Sequence, residues 1–194
     1  MSPSSPPAAS SSGAAPSGAT TRRLMKELEN LRALRPSPSD RDDDDDDDDD
    51  GIERLAPTTE TSLLHWSAVI HGRGLPGGYH AGRWLLHLAV PATYPLAPPA
   101  VVFATPVVHP NVALATGEVC LDLLRVGGGA DAGGAWTPAY TLRAVVRAVR
   151  MLLACPGLDS PLNVDVAALL RGGDGVGARR LVELWVGEER YEGE

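Results

Sequence analysis

The residues best able to do chemistry lie in one short run of the chain, from His109 to Cys120. A cysteine thiolate held in a loop attacks carbonyls and thioesters, so Cys120 is a candidate nucleophile. An asparagine side chain nearby, such as that of Asn111, can donate its amide N–H to the oxyanion that forms. The run therefore predicts acyl transfer.

The composition restricts the class of protein. With 194 residues, 43% of them hydrophobic, the chain suits one domain with appendages. The net charge of −8 comes from nine aspartates at residues 42–50; the remainder carries about +1, so no basic surface predicts nucleic-acid binding. Two cysteines make no disulfide framework, and no apolar run is long enough to span a membrane. We expect a protein of a reducing compartment, without a signal peptide.

The chain divides into a tail and a core. Residues 1–19 are rich in Ser, Pro and Ala and predict a disordered tail, and residues 20–191 form the predicted core. The core opens with four leucines spaced three or four residues apart, which predict a helix that ends before Pro36 with charged residues on its other side. These leucines are Leu24, Leu28, Leu31 and Leu34.

Two insertions interrupt the core. Residues 36–51 contain the aspartate run, whose mutual repulsion predicts an extended, solvated linker. A calcium loop is the alternative, but the closing position of an EF-hand register falls on Pro57, which cannot coordinate through its side chain. Residues 126–135 are a Gly-rich insertion, interpreted as a flexible loop because the Lys-Ser or Lys-Thr of a phosphate-binding loop does not follow.

The elements that must position Cys120 predict an α+β fold. Short apolar segments with turn residues between them predict strands in an antiparallel meander. These strand segments are residues 52–55, 63–70, 83–90 and 100–105. Thr141 is a predicted N-cap, and the apolar spacing after it predicts a helix. The predicted C-terminal helices are residues 142–153, 164–170 and 177–189.

Six motifs, in one order, resemble the ubiquitin-conjugating enzymes. They are Leu64-His65-Trp66, Tyr94-Pro95-Leu96-Ala97-Pro98-Pro99, His109-Pro110-Asn111, Cys120-Leu121-Asp122-Leu123-Leu124, Trp136-Thr137-Pro138-Ala139 and Asp159-Ser160-Pro161-Leu162-Asn163. The likeness runs from about residue 21 to residue 191, interrupted by the two insertions. It implies the fold of that family, with an N-terminal helix, a four-stranded antiparallel meander sheet and C-terminal helices.

Three further details resemble the peroxisomal, peroxin-type branch of this family. They are Gly82-Arg83-Trp84-Leu85-Leu86, the longer approach Thr116-Gly117-Glu118-Val119-Cys120, and Leu169-Leu170-Arg171-Gly172-Gly173-Asp174. The branch implies that ubiquitin is transferred to a peroxisomal import receptor, on a cysteine near its N-terminus, for the receptor's recycling in matrix protein import.

The resemblance assigns roles to residues of the site. Cys120 accepts ubiquitin from the activating enzyme as a thioester. Asn111 steadies the oxyanion or supports the loop, and both roles stay open. His109 is structural, although a cysteine next to a histidine also fits a thiol hydrolase. Ser160 occupies a gate position beside the site, and Asp122 lies near the thiol.

The resemblance also predicts a docking surface for a RING-type ligase. It is formed by the first helix, the Pro-rich loop after the second predicted long strand, and the loop before the Thr141 helix. The residues assigned to it are Arg22, Lys26, Pro95, Leu96, Pro138 and Ala139. The alternative is that the loop residues serve only in packing.

Partners and location follow from the same resemblance. The expected partners are ubiquitin, the activating enzyme, a RING-type ligase, a peroxisomal membrane anchor protein and the import receptor, without nucleic acid. No cofactor or metal is expected on this chain, since ATP is consumed by the activating enzyme. The expected location is cytosolic, peripheral on the cytosolic face of the peroxisomal membrane. The alternatives are another cytosolic conjugation pathway and a non-catalytic ubiquitin-binding variant of the fold.

Leu96 and Cys155 depart from the family's usual pattern, whereas Ser160 stands at a gate position where relatives carry Asp or Ser. Ser160 carries no fixed charge with which to orient an acceptor lysine, whereas a thiol acceptor, with a pKa about two units lower than that of lysine, needs less help. Ser160 therefore favours a cysteine acceptor. Leu96 stands where many relatives have Phe, which leaves the choice of ligase open. Cys155 stands where Asp is usual, either as a turn residue or as an oxidative partner of Cys120.

Overall fold

The computed structural model describes residues 15–34, 50–126 and 135–193. Over these residues the chain forms four α-helices and a four-stranded antiparallel sheet, which confirms the predicted α+β fold. The elements are α1 Gly18–Ala33, β1 Ile52–Thr59, β2 Ser62–His71, β3 Arg83–Ala89, β4 Ala100–Phe103, α2 Leu142–Leu152, α3 Val164–Arg171 and α4 Gly175–Glu188. Residues 1–14, 35–49 and 127–134 lie outside the description, and with them most of the predicted tail, linker and Gly-rich loop.

The sheet is a simple meander in the order β1-β2-β3-β4. β1 continues to Thr59, four residues beyond the strand predicted at residues 52–55. Pro57 lies inside this strand, opposite Trp66 of β2. β1 is an edge strand of the described sheet, where a missing N–H disturbs the ladder least, so the proline is tolerated there.

The core joins one face of the sheet to one face of α2. The core residues alternate along both strands, as expected for a sheet covered on that face; they are Trp66, Ala68 and Ile70 in β2 and Trp84, Leu86 and Leu88 in β3. They are joined in one apolar cluster by the buried side chains of α2, which are Leu142, Val145, Val146 and Val149. Each such side chain stabilises the fold by about 1.5–3 kcal/mol relative to leaving it in water.

α1 begins at Gly18, two residues earlier than the predicted core boundary at residue 20. Ser17 caps the helix, because its hydroxyl accepts a hydrogen bond from the Thr20 amide at 3.1 Å. Leu24 of the predicted apolar stripe is fully buried, whereas Leu34 at its end is exposed. The prediction that the charged residues of α1 face solvent is wrong for Glu27, whose partners come from other parts of the fold.

The predicted linker at residues 36–51 is too long by at least its last two residues. Asp50 accepts a hydrogen bond from Arg143 Nε of α2 at 2.7 Å, and its other carboxylate oxygen caps the Ile52 amide at 3.2 Å. Gly51 is buried against Arg150 of α2. Residues 50 and 51 therefore belong to the fold, and Asp50 is engaged by an arginine.

The C-terminal segment also belongs to the fold beyond its predicted end at residue 191. Arg83 Nη1 donates to the Tyr191 carbonyl at 2.9 Å and to the Gly193 carbonyl at 2.7 Å. The Tyr191 amide donates in return to the Arg83 carbonyl at 2.9 Å. None of the described helices is long and apolar enough to cross a membrane.

Candidate functional site

The predicted nucleophile lies on a segment that folds back against Asn111. The Cys120 amide donates to the Asn111 carbonyl at 2.9 Å. The adjoining residues Val112 and Val119 pair as an isolated antiparallel bridge. The chain between His109 and Cys120 therefore forms a short hairpin, in which the main chain of Cys120 lies beside that of Asn111.

Gly117 makes the turn of this hairpin. Its φ is +71°, a conformation that disfavours residues with a Cβ, and a Cβ built there would lie 1.9 Å from the Phe103 carbonyl oxygen. The Phe103 amide in turn donates to the Gly117 carbonyl at 2.8 Å. The approach to Cys120 is therefore fixed against the end of β4.

The Cys120 thiol is partly exposed and free. A short 3₁₀ turn, Asp122–Leu124, follows it, and Asp122 is exposed at the start of that turn. The Asp122 carboxylate forms a long ion pair with Arg125, at 3.6 Å. Cys120 is therefore partly accessible from solvent.

The Asn111 side chain is bound to the backbone of Gly157. Its Nδ2 donates to the Gly157 carbonyl at 2.7 Å, and its Oδ1 accepts from the Gly157 amide at 2.8 Å. This geometry favours the loop-supporting role, while the second Nδ2 hydrogen is the one that an oxyanion could use. Sequence reasoning missed Gly157, because it takes part through its main chain and its residue type carries no signal.

Ser160 lies in the segment that Asn111 holds. At the far end of that segment, the Leu162 and Asn163 amides both donate to the Pro110 carbonyl, at 2.8 and 2.9 Å. Ser160 is exposed between these attachments. The structure thus brings Ser160, Asn111 and Cys120 into one local unit.

The His109 imidazole is buried, with 1% of the residue exposed. Its Nδ1 accepts from the Asn111 amide at 3.1 Å, and its ring packs 6.0 Å from that of Tyr79. Burial lowers the pKa of His109 to about 4. Nε2 has no hydrogen-bond partner among the described residues. A buried, neutral imidazole engaged with the main chain is not arranged to act as a base on Cys120.

Cys155 is a free, exposed thiol near the end of α2. Its amide donates to the Leu152 carbonyl at 3.0 Å in a turn. The structure holds no disulfide between Cys155 and Cys120.

The residues predicted to dock a ligase lie on three elements that contact one another. Leu96 is 74% exposed, and Pro138 and Ala139 are exposed on the neighbouring loop. Pro95 is partly buried and follows a cis peptide bond. The Pro95 carbonyl accepts from Trp136 Nε1 at 2.8 Å, which joins the two loops.

α1 completes this surface. Arg22 and Lys26 are exposed on it, and between them Arg23 Nη2 donates to the Tyr140 carbonyl at 2.9 Å. Hydrogen bonds therefore join the helix to both loops. Among the described residues, no cluster of His, Cys, Asp or Glu is arranged to hold a metal ion.

Comparisons with known proteins agree with this geometry. The family model for ubiquitin-conjugating enzymes matches residues 23–176. The chain is 53% identical over 189 residues to the ubiquitin-conjugating enzyme E2 PEX4 of Gibberella zeae, covering 96% of this chain and 99% of that protein. It is 42% identical over 126 residues to the protein PEROXIN-4 of Arabidopsis thaliana, covering 65% of this chain and 74% of that protein.

A solved structure is similar as well. It is the crystal structure of the H. polymorpha ubiquitin-conjugating enzyme Pex4p in complex with the soluble domain of Pex22p. The TM-score is 0.73 at 31% sequence identity, and the match covers 90% of this chain and 100% of that chain. The fold is therefore that of a well-defined group of proteins.

Proposed function

This chain belongs to the ubiquitin-conjugating enzyme family, and we propose that it carries ubiquitin on Cys120 to the peroxisomal import receptor, with the help of a RING-type ligase. The enzyme class follows from the family match over residues 23–176 and from similarity to PEX4 over almost the whole chain. The peroxin names of its relatives support the peroxisomal pathway. We propose in addition the role of each site residue, the use of a RING-type ligase and the import receptor as acceptor.

Loading is an exchange of one thioester for another. The Cys120 thiolate attacks the carbonyl of ubiquitin's C-terminal thioester on the activating enzyme, and a tetrahedral oxyanion forms. The activating enzyme's sulfur then leaves as a thiolate, so one C–S bond forms and one breaks. The exchange requires no cofactor on this chain, because ATP is consumed earlier, by the activating enzyme.

Transfer repeats this attack with the acceptor as nucleophile. The acceptor thiolate or amine adds to the Cys120 thioester, and the Cys120 thiolate leaves as the acceptor bond forms; an amine gives up its proton to solvent. Asn111 supports the segment beside the thioester and offers its remaining amide hydrogen to the oxyanion. Ser160 supplies no charge to an incoming lysine, which favours a cysteine of the receptor.

Cys120 supports this proposal most directly. It is a free, partly exposed cysteine, and its main-chain amide is bound to the Asn111 carbonyl. The His109 imidazole is buried and its Nδ1 accepts from the Asn111 amide, so it is not placed to serve as the histidine base of a thiol hydrolase. An acyl group on Cys120 is therefore handed to an acceptor protein faster than to water.

We further propose that an anchor protein holds the enzyme on the cytosolic face of the peroxisomal membrane. The related Pex4p was solved with the soluble domain of Pex22p, which supports an anchor of that kind. The purified enzyme mixed with the soluble domain of the corresponding anchor should co-elute in size-exclusion chromatography. Separate elution at micromolar concentrations would contradict the proposed anchoring.

Loading on Cys120 is tested with purified protein, ubiquitin, activating enzyme and ATP on a non-reducing gel. Wild type should give an adduct that thiol reagents remove. Cys120→Ser should give an adduct that resists thiols, because an ester replaces the thioester, and Cys120→Ala should give none. Cys155→Ser is the matched control and should load like wild type. Loading of Cys120→Ala, or none on folded wild type, would overturn the proposal and favour a ubiquitin-binding module.

A further inference from the structure

One buried carboxylate contacts three parts of the proposed docking surface. Glu27 of α1 is 5% exposed. Its Oε1 accepts from Arg23 Nε at 2.6 Å and from the Tyr94 hydroxyl at 2.7 Å. Its Oε2 accepts from the Leu142 amide at 2.7 Å, at the first residue of α2. Glu27 therefore joins α1, the Pro-rich loop and the segment that leads into α2.

Neighbouring hydrogen bonds support the same junction. The Thr20 hydroxyl shares its hydrogen between the Ala92 and Tyr94 carbonyls, both at 2.8 Å. Arg23 reaches past Glu27 to the Tyr140 carbonyl at 2.9 Å. These bonds all lie beneath the exposed surface and none involves a residue assigned to ligase contact.

The exposed side of each of these parts carries predicted ligase contacts. α1 presents Arg22 and Lys26, one loop presents Leu96, and the other loop presents Pro138 and Ala139. These three parts are distant in sequence, so their relative positions depend on the buried contacts between them. A rigid, preformed surface loses less conformational entropy when a partner docks.

The junction requires a group that only accepts hydrogen bonds. Arg23, Tyr94 and the Leu142 amide all direct donors at Glu27. A glutamine has the same shape, but its NH₂ group would face either the Leu142 N–H or the donors of the other two residues. One buried donor would then lose its acceptor, at a cost of about 1–3 kcal/mol unless the elements move apart.

We propose that Glu27 is a positioning residue for ligase docking, holding α1 and the two loops in the relative geometry that a RING domain recognises. This inference rests on the ligase step of the proposed function. It assigns a role in docking to a side chain that a ligase cannot touch.

The test separates ligase affinity from the rate of chemistry. Glu27→Gln is compared with wild type in loading by the activating enzyme, in discharge to free cysteine without ligase, and in discharge stimulated by increasing amounts of the RING domain of a peroxisomal ubiquitin ligase. The half-saturating RING concentration should rise about tenfold, the effect of one unmade hydrogen bond. Loading, ligase-free discharge and the rate at saturating RING domain should stay within about twofold, because Cys120 and its contacts are unchanged.

Two further variants control this result. Glu188→Gln removes an equal charge from an exposed position of α4 and should behave as wild type. Tyr94→Phe keeps Glu27 but removes one of its donors, and should raise the half-saturating concentration by a smaller factor, about threefold. It also provides the test if Glu27→Gln does not fold.

The outcomes distinguish this inference from the function on which it rests. Identical RING titrations for wild type, Glu27→Gln and Tyr94→Phe overturn it, and so does an equal loss of loading and ligase-free discharge, which would indicate a structural role alone. A wild type that loads ubiquitin but gains no rate from the RING domain overturns the ligase step itself.

Discussion

At the scale of single residues, Cys120 is surrounded by groups that hold the main chain in place, and its neighbours His109 and Asn111 are already engaged in such contacts. The one histidine of its hairpin, His109, is buried and bound to the main chain, and Asn111 is occupied with Gly157. In the proposed transfer, the acidity of the incoming acceptor therefore decides much of the rate. Ser160 is exposed in the same part of the site, so a substitution there can change the preference for an acceptor while Cys120 is left unaltered.

Replacing Ser160 with Asp should convert the enzyme toward lysine acceptors. A carboxylate at this exposed position can orient a lysine ammonium and take its proton, so discharge to free lysine should rise by at least about tenfold. Discharge to free cysteine should change by less than about twofold, since a thiol ionises without such help. Single-turnover discharge of preloaded enzyme measures both rates.

Ser160→Asn is the control for this change, because it adds similar volume without charge. It should leave the preference for cysteine as in wild type. If wild type already discharged to lysine as fast as to cysteine, the argument from Ser160 would fail.

At the scale of elements, α2 holds the start of the sheet through its arginines. Arg150 is 9% exposed and donates from Nε to the His71 carbonyl at 2.9 Å and from Nη2 to the Arg73 carbonyl at 2.6 Å. Its side chain lies directly against Gly51, which precedes β1 with a φ of +72°. The entry of the chain into β1 therefore depends on a position without a side chain.

Gly51→Ala should destabilise the protein by about 2–4 kcal/mol. The added Cβ would lie 1.9 Å from Arg150 Nε, so the arginine must give up its carbonyl contacts, and the positive φ adds strain. Gly74→Ala is matched in backbone conformation, with φ +79°, but has nothing within 4 Å of the new Cβ. It should cost only about 1 kcal/mol. Urea unfolding measures both, and equal losses would refute the role of Arg150.

A helix or strand can be predicted from the sequence when the residues that stabilise it are close together in the chain. α2 was predicted well because its cap and apolar spacing are local: Thr141 accepts from the Ala144 amide at 3.2 Å, as expected of an N-cap. β1 was predicted too short because Pro57 argues against a strand until its edge position is known. The burial of Glu27 could not be predicted from α1, since its partners Tyr94 and Leu142 are distant in sequence.

The same holds for the site: residues close together in the sequence could be predicted, whereas contacts from a distant segment could not. Cys120 and Asn111 were identified from residue type and spacing, and the structure brings them together. The bonds from the Asn111 side chain to Gly157, and from the Leu162 amide to the Pro110 carbonyl, could not be predicted, because Gly157 and Leu162 contribute only main-chain atoms from a segment after α2.

At the scale of the whole molecule, one buried titratable group links the site to global stability. His109 lies in the interior between the Cys120 hairpin and Tyr79, and burial lowers its pKa to about 4 from the ordinary 6.5. The unfolded chain therefore takes up a proton at this histidine well before the folded chain does. Folding is opposed increasingly as the pH falls through this window.

The free energy of unfolding should accordingly fall by about 2–3 kcal/mol between pH 7 and pH 4 because of His109 alone. His109→Gln lacks this titration and should show a flatter profile, even if it is less stable at pH 7. His65→Gln, at an exposed position, should keep the wild-type slope. Urea titrations at several pH values measure the three slopes; parallel profiles for wild type and His109→Gln would show that His109 does not carry the effect.

The base of the Gly-rich insertion has a consequence for how its length can vary. The Ala135 amide donates to the Asp122 carbonyl at 3.2 Å, and the Trp136 amide donates to the Arg125 carbonyl at 3.3 Å. These two hydrogen bonds hold the two ends of the insertion next to each other. Because each doubling of loop length costs only about 0.6 kcal/mol of closure entropy, a change in the length of chain between these two bonds should alter the stability of the domain little. The insertion can thus be lengthened or shortened while the fold around Cys120 is kept.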